Sequence, residues 1–276
     1  MFVRRILTDS PAEIQIQTGK APPISVFSVF SVFGRSCSLF FRYLPQNIVF
    51  GLIGVLPFVA ILAVTPDTLL SEYRLTDIAS ILGVIFFLGQ LAIYSVASRA
   101  ITTFSLQRLA GAKPELFTSL GNGLIGMLPV YIGTILTHIG FGLGLILLVI
   151  PGLYFIATYA LVTPAIVREG LGVKDAFFRS KTLVIGYRWK ILVALLVLAI
   201  FYSIIQFVGL SAFQLMYLIH DAEIVNFAEA NSKIPMTNAI GTPMYVFAVI
   251  FIAALYDEIR NAKEGCRQDE VAAVFD

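Results

Sequence analysis

The sequence predicts an all-α integral membrane protein with six transmembrane helices, and three observations carry that reading. Hydrophobic residues make up 58% of the 276 positions and charged residues only 13%, against about 25% charged in an ordinary soluble domain. The apolar residues are gathered into runs. Residues 43–66, 78–98, 116–167, 191–220 and 234–256 contain no Asp, Glu, Lys or Arg. A bilayer core takes about 20 apolar residues per helix, so four of these runs supply one crossing each and 116–167 has the length for two. The third observation is where the cations fall. With six crossings, 17 of the 19 Lys and Arg lie on one side, in the N-terminal segment, the second and fourth loops and the C-terminus; only Arg74 and Lys233 lie on the other. Short cationic segments stay cytoplasmic, so both termini are expected inside.

Residues 1–24 begin with basic residues but lack an apolar stretch of signal-peptide length, and read as a cytoplasmic tail. A membrane domain is expected over 25–257 and a second cytoplasmic tail over 258–276. Within "SVFSVFSVFGRSCSLFFRYL", Ser28, Ser31, Arg35, Ser38 and Arg42 recur three or four residues apart. That spacing makes one polar stripe on a helix otherwise covered by Phe, Val and Leu, the pattern of an amphipathic helix lying in the membrane interface. The first crossing follows at 46–65, with Pro57 near its middle, and the second at 77–99.

Two crossings and a turn occupy 120–167. The turn fits "IGFGLG", at Gly140–Gly144, which divides the run evenly. It also fits Ile150–Gly152, with Pro151 in the first turn of the next helix, where its missing N–H costs nothing. The glycine turn is preferred for its even division. Pro57, Pro129 and Pro164 are expected to kink their helices, since a proline leaves a backbone carbonyl without its donor. A second interfacial helix is expected over 172–188, with Lys174, Arg179 and Lys181 beside Phe177, Phe178 and Leu183. Tyr187 and Trp189 stand where interfacial aromatics belong. The last crossings are expected at 190–212 and 238–257.

An internal repeat is also legible. "GAKPELF" follows the second crossing and "GVKDAFF" the fourth, while Gly265, Arg267 and Val271 keep the spacing loosely after the sixth. Arg35-Ser36, Leu39 and Tyr43 match Arg179-Ser180, Leu183 and Tyr187 at a constant offset. The unit implied is an interfacial helix plus a transmembrane hairpin, repeated three times.

The stretch "IPGLYFIATYALVTPAIVREGLGVKDAFFRS" through "GYRWKILVALLVLAI" resembles YciC-like bacterial inner-membrane proteins and the membrane domain of some glycerophosphoryl diester phosphodiesterases. The shared features are Pro151-Gly152, Pro164, the turn at Glu169-Gly170, and Ser180 with Leu183; the ending "LYDEIRNAKEGCRQDEVAAVFD" is similar too. The resemblance covers about 25–276 and implies a multi-pass protein of the bacterial inner (cytoplasmic) membrane. It implies no activity, and the chain has no room for a soluble phosphodiesterase domain.

Chemistry-bearing residues are few. His138 and His220 are each expected near an outer helix end, and no HExxH, GxSxG, Walker or cysteine-pair motif occurs. Asp221 and Glu223 beside His220 read as an exposed acidic loop. Cys37 and Cys266 both fall on the cytoplasmic side, where a disulfide is not expected. No catalytic residue, metal site or cofactor is assigned, and no nucleic-acid partner. Gln90, Tyr94 and Ser98 share one face of the second crossing and Gln206 lies within the fifth, as interhelical hydrogen-bonding groups or the lining of a polar path. Gly51, Gly54, Gly83 and Gly89 are expected to allow close helix packing. Arg168, Lys174, Arg179, Lys181, Arg188 and Lys190 form a cationic cluster suited to anionic lipid headgroups. The expected partners are membrane lipids, with a membrane or soluble protein as a further one. The leading functional expectation is a non-enzymatic inner-membrane protein associated with lipid or with envelope organisation. A carrier or channel for a neutral or lipid-like molecule is one alternative, and a membrane module beside a separate phosphodiesterase is another.

Overall fold

The structure, a computed structural model, describes residues 28–64, 77–219 and 236–264. Among them every regular element is an α-helix. These are α1 (Val29–Arg42), α2 (Leu44–Val64), α3 (Asp77–Leu109), α4 (Leu116–Ile125), α5 (Met127–Leu147), α6 (Val149–Tyr159), α7 (Val162–Glu169), α8 (Val173–Val184), α9 (Arg188–Ile219) and α10 (Met236–Glu264). Four stretches are long and apolar enough to cross a membrane: Met127–Leu147, Val149–Glu169, Arg188–Ala212 and Gly241–Glu264. They correspond to α5, α6 with α7, most of α9 and most of α10.

Prolines punctuate the middle of the chain. Pro129, Pro151 and Pro164 are each the third residue of a helix, in α5, α6 and α7 respectively. The first-turn N–H groups have no intrahelical partner, so proline there gives up nothing. Pro129 begins a new helix after the break at Gly126, while Pro164 follows a bend at Ala160–Leu161 inside the Val149–Glu169 span. The turn expected at Gly140–Gly144 lies instead at Leu148, whose backbone is extended (φ −170°, ψ 149°). The helix runs through the glycines because they serve another purpose. A methyl group on Gly144 would stand 2.7 Å from the Cα of Gly152, so α5 and α6 pack backbone against backbone at that level. The shifted turn also moves His138 away from a helix end, to the middle of α5, where its side chain is exposed and Nδ1 lies 2.8 Å from the Thr134 carbonyl oxygen.

Two long helices overrun their expected crossings at the cation-rich ends. α3 continues ten residues beyond Arg99 to Leu109, and α10 continues past 257 to Glu264. At about 1.5 Å per residue, the 33 residues of α3 span about 50 Å, beyond the roughly 30 Å of a hydrocarbon core. The central element is α10, which packs against α1, α2, α3, α7, α8 and α9. Phe251, Ala253, Leu255 and Ile259 on it are fully buried. The contrast with α9 is large: 67% of the α10 membrane window is buried within the protein, and 11% of that of α9.

Of the four packing glycines expected, two behave so. A methyl on Gly51 would lie 3.0 Å from Thr242 Cγ2, and one on Gly54 would lie 3.1 Å from the Tyr94 ring. Gly89 faces open space among the described residues, with nothing within 4 Å of where its Cβ would stand. The side chains around Gly83, and the expected features at residues 1–27, Arg74, His220, Asp221, Glu223, Lys233 and Cys266, lie outside the described residues.

Candidate functional site

Three helices converge on a charged cluster at the ends of α7, α8 and α10. The chain leaves α7 through Gly170 at φ +65°, a left-handed conformation that glycine adopts without steric cost. That turn allows α8 to fold back, so that Arg179 faces Glu169. On α10, Tyr256, Arg260 and Glu264 are spaced four apart and share one face.

Arg179 is gripped from both sides. Its Nε donates to Glu169 Oε1 and Oε2, at 2.9 Å and 2.8 Å, and its Nη2 donates to Glu264 Oε1 at 2.6 Å. Tyr256 donates its hydroxyl to Glu169 Oε1 at 2.5 Å. Arg260 Nε donates to Glu264 Oε2 at 3.3 Å. Partial burial works against the Arg179 charge, but the hydrogen bonds and charges of Glu169 and Glu264 outweigh it and hold its pKa above the ordinary value. A second clamp lies nearby on α10. Arg35 of α1 reaches Glu258 at 2.8 Å and Asp257 at 3.9 Å, and Ser31 Oγ donates to Glu258 Oε1 at 3.2 Å. Lys263 Nζ adds a bond to the Thr182 carbonyl at 2.8 Å. Each carboxylate that points inward is thus matched by a guanidinium. The arrangement fastens α1, α7 and α8 to the end of α10.

The six expected lipid-contacting cations divide on this geometry. Arg179 is held by carboxylates and does not face outward as a free charge. Arg168, Lys174, Lys181 and Lys190 are exposed, and no carboxylate pairs with Lys174 or Lys181 among the described residues. The Arg188 guanidinium lies 4.9 Å over the Tyr154 ring, with Nε buried and lacking an acceptor within the described chain. The Lys190 ammonium lies 5.7 Å from the Tyr187 ring. Phe178 and Trp189 are strongly exposed beside these cations.

The expected intramembrane groups are divided between two helix contacts. Gln90 Nε2 donates to the Gly54 carbonyl at 3.0 Å, joining α3 to α2. Tyr94 stacks on Tyr245, centroids 4.8 Å apart, and its carbonyl accepts the Tyr245 hydroxyl at 2.7 Å. Gln206 Nε2 donates to Tyr202 Oη one turn earlier on α9. The Oε1 atoms of Gln90 and Gln206 are buried without a donor among the described residues.

Sequence reasoning missed the partners of these cations. Tyr256, Glu258 and Glu264 were assigned no role, the last two because they fell in the expected tail; Glu169 was read only as a turn marker. A signal was present: Tyr256, Arg260 and Glu264 keep helical spacing beyond the charge-free run. Compared with known proteins, the chain matches no family model, no curated protein and no solved structure.

Proposed function

We propose that the chain is a non-enzymatic, multi-pass scaffold of the bacterial inner membrane that gathers anionic lipid at its cytoplasmic face. In this reading α2 and the first part of α3 complete six crossings, with both termini inside, and α1, α4 and α8 each open one of three helix-hairpin units. The resemblance to YciC-like proteins belongs to the same proposal. The observation that carries it is the sorting of charge around α8. Its inward Arg179 is neutralised by Glu169 and Glu264, while Lys174 and Lys181 on the same short helix are exposed and unpaired. A cation beside an anionic leaflet contributes about 1 kcal/mol, whereas a cation needed only to neutralise buried carboxylates has no reason to face outward. Exposed Phe178 and Trp189 give α8 and the start of α9 an apolar hold on the interface.

The intramembrane amides support a scaffold over a carrier. The Nε2 group of Gln90 joins α3 to the α2 backbone, which is the usual role of a polar side chain between membrane helices. The test is reconstitution in nanodiscs of phosphatidylcholine alone or mixed with phosphatidylglycerol. Anionic lipid should be enriched around the wild type and raise its thermal midpoint. A Lys174→Gln, Lys181→Gln variant should lose much of both effects, and the wild-type difference should shrink in high salt. Equal behaviour in both lipids would reject the reading.

A further inference from the structure

A cleft of about 400 Å³ opens between the first half of α2 and α10, and the cationic cluster just described does not border it. Its walls include Phe40, Leu44, Ile48 and Leu52 on one side and Pro243 on the other; Gly51 and Thr242 form the floor. The floor is tight, since a methyl on Gly51 would touch Thr242. The one amide on the wall, Asn47, turns its Nδ2 to the Phe40 carbonyl at 2.9 Å and leaves the cleft apolar. Leu44, Ile48 and Leu52 repeat every four residues, so they form one stripe along α2, about 12 Å long at 1.5 Å per residue. Each is between 41% and 54% exposed.

One end of this stripe is cationic. Arg42 lies between the lining residues Phe40 and Leu44 in the chain, at the corner where α1 meets α2, and is exposed. Tyr43 at that corner carries the Arg108 guanidinium of α3 at 4.5 Å from its ring centroid. Neither arginine has a carboxylate partner among the described residues, and Arg108 Nε is buried without an acceptor. The corner thus holds two guanidinium groups against the Tyr43 ring, at 5.9 Å and 4.5 Å from its centroid, beside the end of an apolar trough.

We propose that this cleft is a specific site for one phospholipid with an anionic headgroup, its acyl chain lying along Leu44, Ile48 and Leu52 and its phosphate at Arg42 and Arg108. The inference rests on α2 being one of the proposed crossings, which places the trough at acyl-chain depth and the corner at the inner interface. A guanidinium donates two parallel hydrogen bonds to phosphate.

The experiment uses full-length protein in nanodiscs of phosphatidylcholine doped with phosphatidylglycerol carrying a photoactivatable acyl chain, with crosslinks mapped by peptide mass spectrometry. Crosslinks should concentrate on the peptide containing residues 44–52. Ile48→Trp and Leu52→Trp, both at exposed positions where folding is not at risk, fill the trough and should reduce that crosslink about tenfold. Arg42→Gln should leave acyl crosslinking to a phosphatidylcholine probe intact and lower the preference for phosphatidylglycerol about fivefold, the factor matching roughly 1 kcal/mol per cation. The Lys174→Gln, Lys181→Gln variant separates the two readings. If it abolishes general anionic enrichment but not the 44–52 crosslink, both stand. If it changes nothing while Arg42→Gln does, the α8 reading fails and this one holds. Crosslinks spread evenly over the lipid-facing sides of α2, α5 and α9 would overturn the site, as would crosslinking of residues 44–52 to a second protein chain in place of lipid.

Discussion

Helices α1 and α8 resemble each other in sequence, yet the protein holds them differently. Each carries an Arg-Ser pair, Arg35-Ser36 and Arg179-Ser180, with both serines fully buried and both arginines reaching carboxylates on α10. The α1 arginine is about half exposed and closes on one strong partner, Glu258. The α8 arginine is 26% exposed and bridges two helices, through Glu169 and Glu264. The serines differ in the same direction. Ser36 Oγ bonds back to Val32 O of its own helix, at 2.7 Å, while Ser180 Oγ crosses to the Thr158 carbonyl of α6 at 2.8 Å. What α1 lacks in polar anchorage it gains in aromatics. Phe33 meets Phe201, Phe247 and Phe251 edge-on, and Phe40 meets Phe247. One sequence motif therefore serves an electrostatic dock on α8 and a mainly aromatic dock on α1.

The largest effect is expected from Arg179→Ala. It leaves the partly buried Glu169 without a cation and Glu264 with Arg260 alone, and breaking such a pair from one side costs about 3 kcal/mol. The thermal midpoint in detergent should fall more than for any α1 polar variant. A double-mutant cycle with Glu264→Ala should show strong coupling. A loss no greater than that of Arg35→Ala would mean that α8 has no special electrostatic dock.

Phe33→Ala should come next, at about 2–3 kcal/mol, since removing a packed phenyl group costs both transfer energy and a cavity. Cys37 provides a local reading of the same event. Its thiol is half-buried, and burial raises its pKa, so it should react slowly with maleimide at neutral pH. Phe33→Ala should accelerate Cys37 labelling in particular, whereas Arg179→Ala should leave it near the wild-type rate. Phe30→Ala, at an exposed position one turn away, should do little.

Smaller differences sharpen the comparison. Ser180→Ala should cost about 1 kcal/mol, the net value of one intramolecular hydrogen bond, because it severs an α8–α6 link. Arg35→Ala should cost about 1 kcal/mol: half its side chain is in solvent and screened, and the buried Glu258 carboxylate it leaves behind keeps the Ser31 hydroxyl as a donor. Ser36→Ala should be nearly silent, because the Val32 carbonyl keeps its helical partner. Thermal midpoints ranked Arg179, Phe33, Ser180, Arg35, Ser36 are the expected outcome. A reversal of the two serines would remove the distinction between the docks.

The sequence by itself determined the helical class and the membrane solvent, because a run without charges in a chain this apolar has few other stable environments. It also determined that short amphipathic helices, read at 25–44 and 172–188 and found at 29–42 and 173–184, precede long apolar ones, since the three-and-four spacing of polar groups is a property of the helix alone. It offered two turns between α5 and α6 and preferred the glycine one, at Gly140–Gly144, because that divides the run evenly; the structure turns at Leu148 instead. Packing chose: Gly144 is needed flat against Gly152, so it stays helical and the chain turns at Leu148. The fate of the cations was likewise decided by tertiary structure. Arg179, Lys174 and Lys181 look alike along the chain, and only the approach of Glu169 from α7 and Glu264 from α10 sets one of them apart. Those partners stand ten and 85 residues away in the chain. A pairing over such separations depends on how helices cross, which no local pattern of residues encodes.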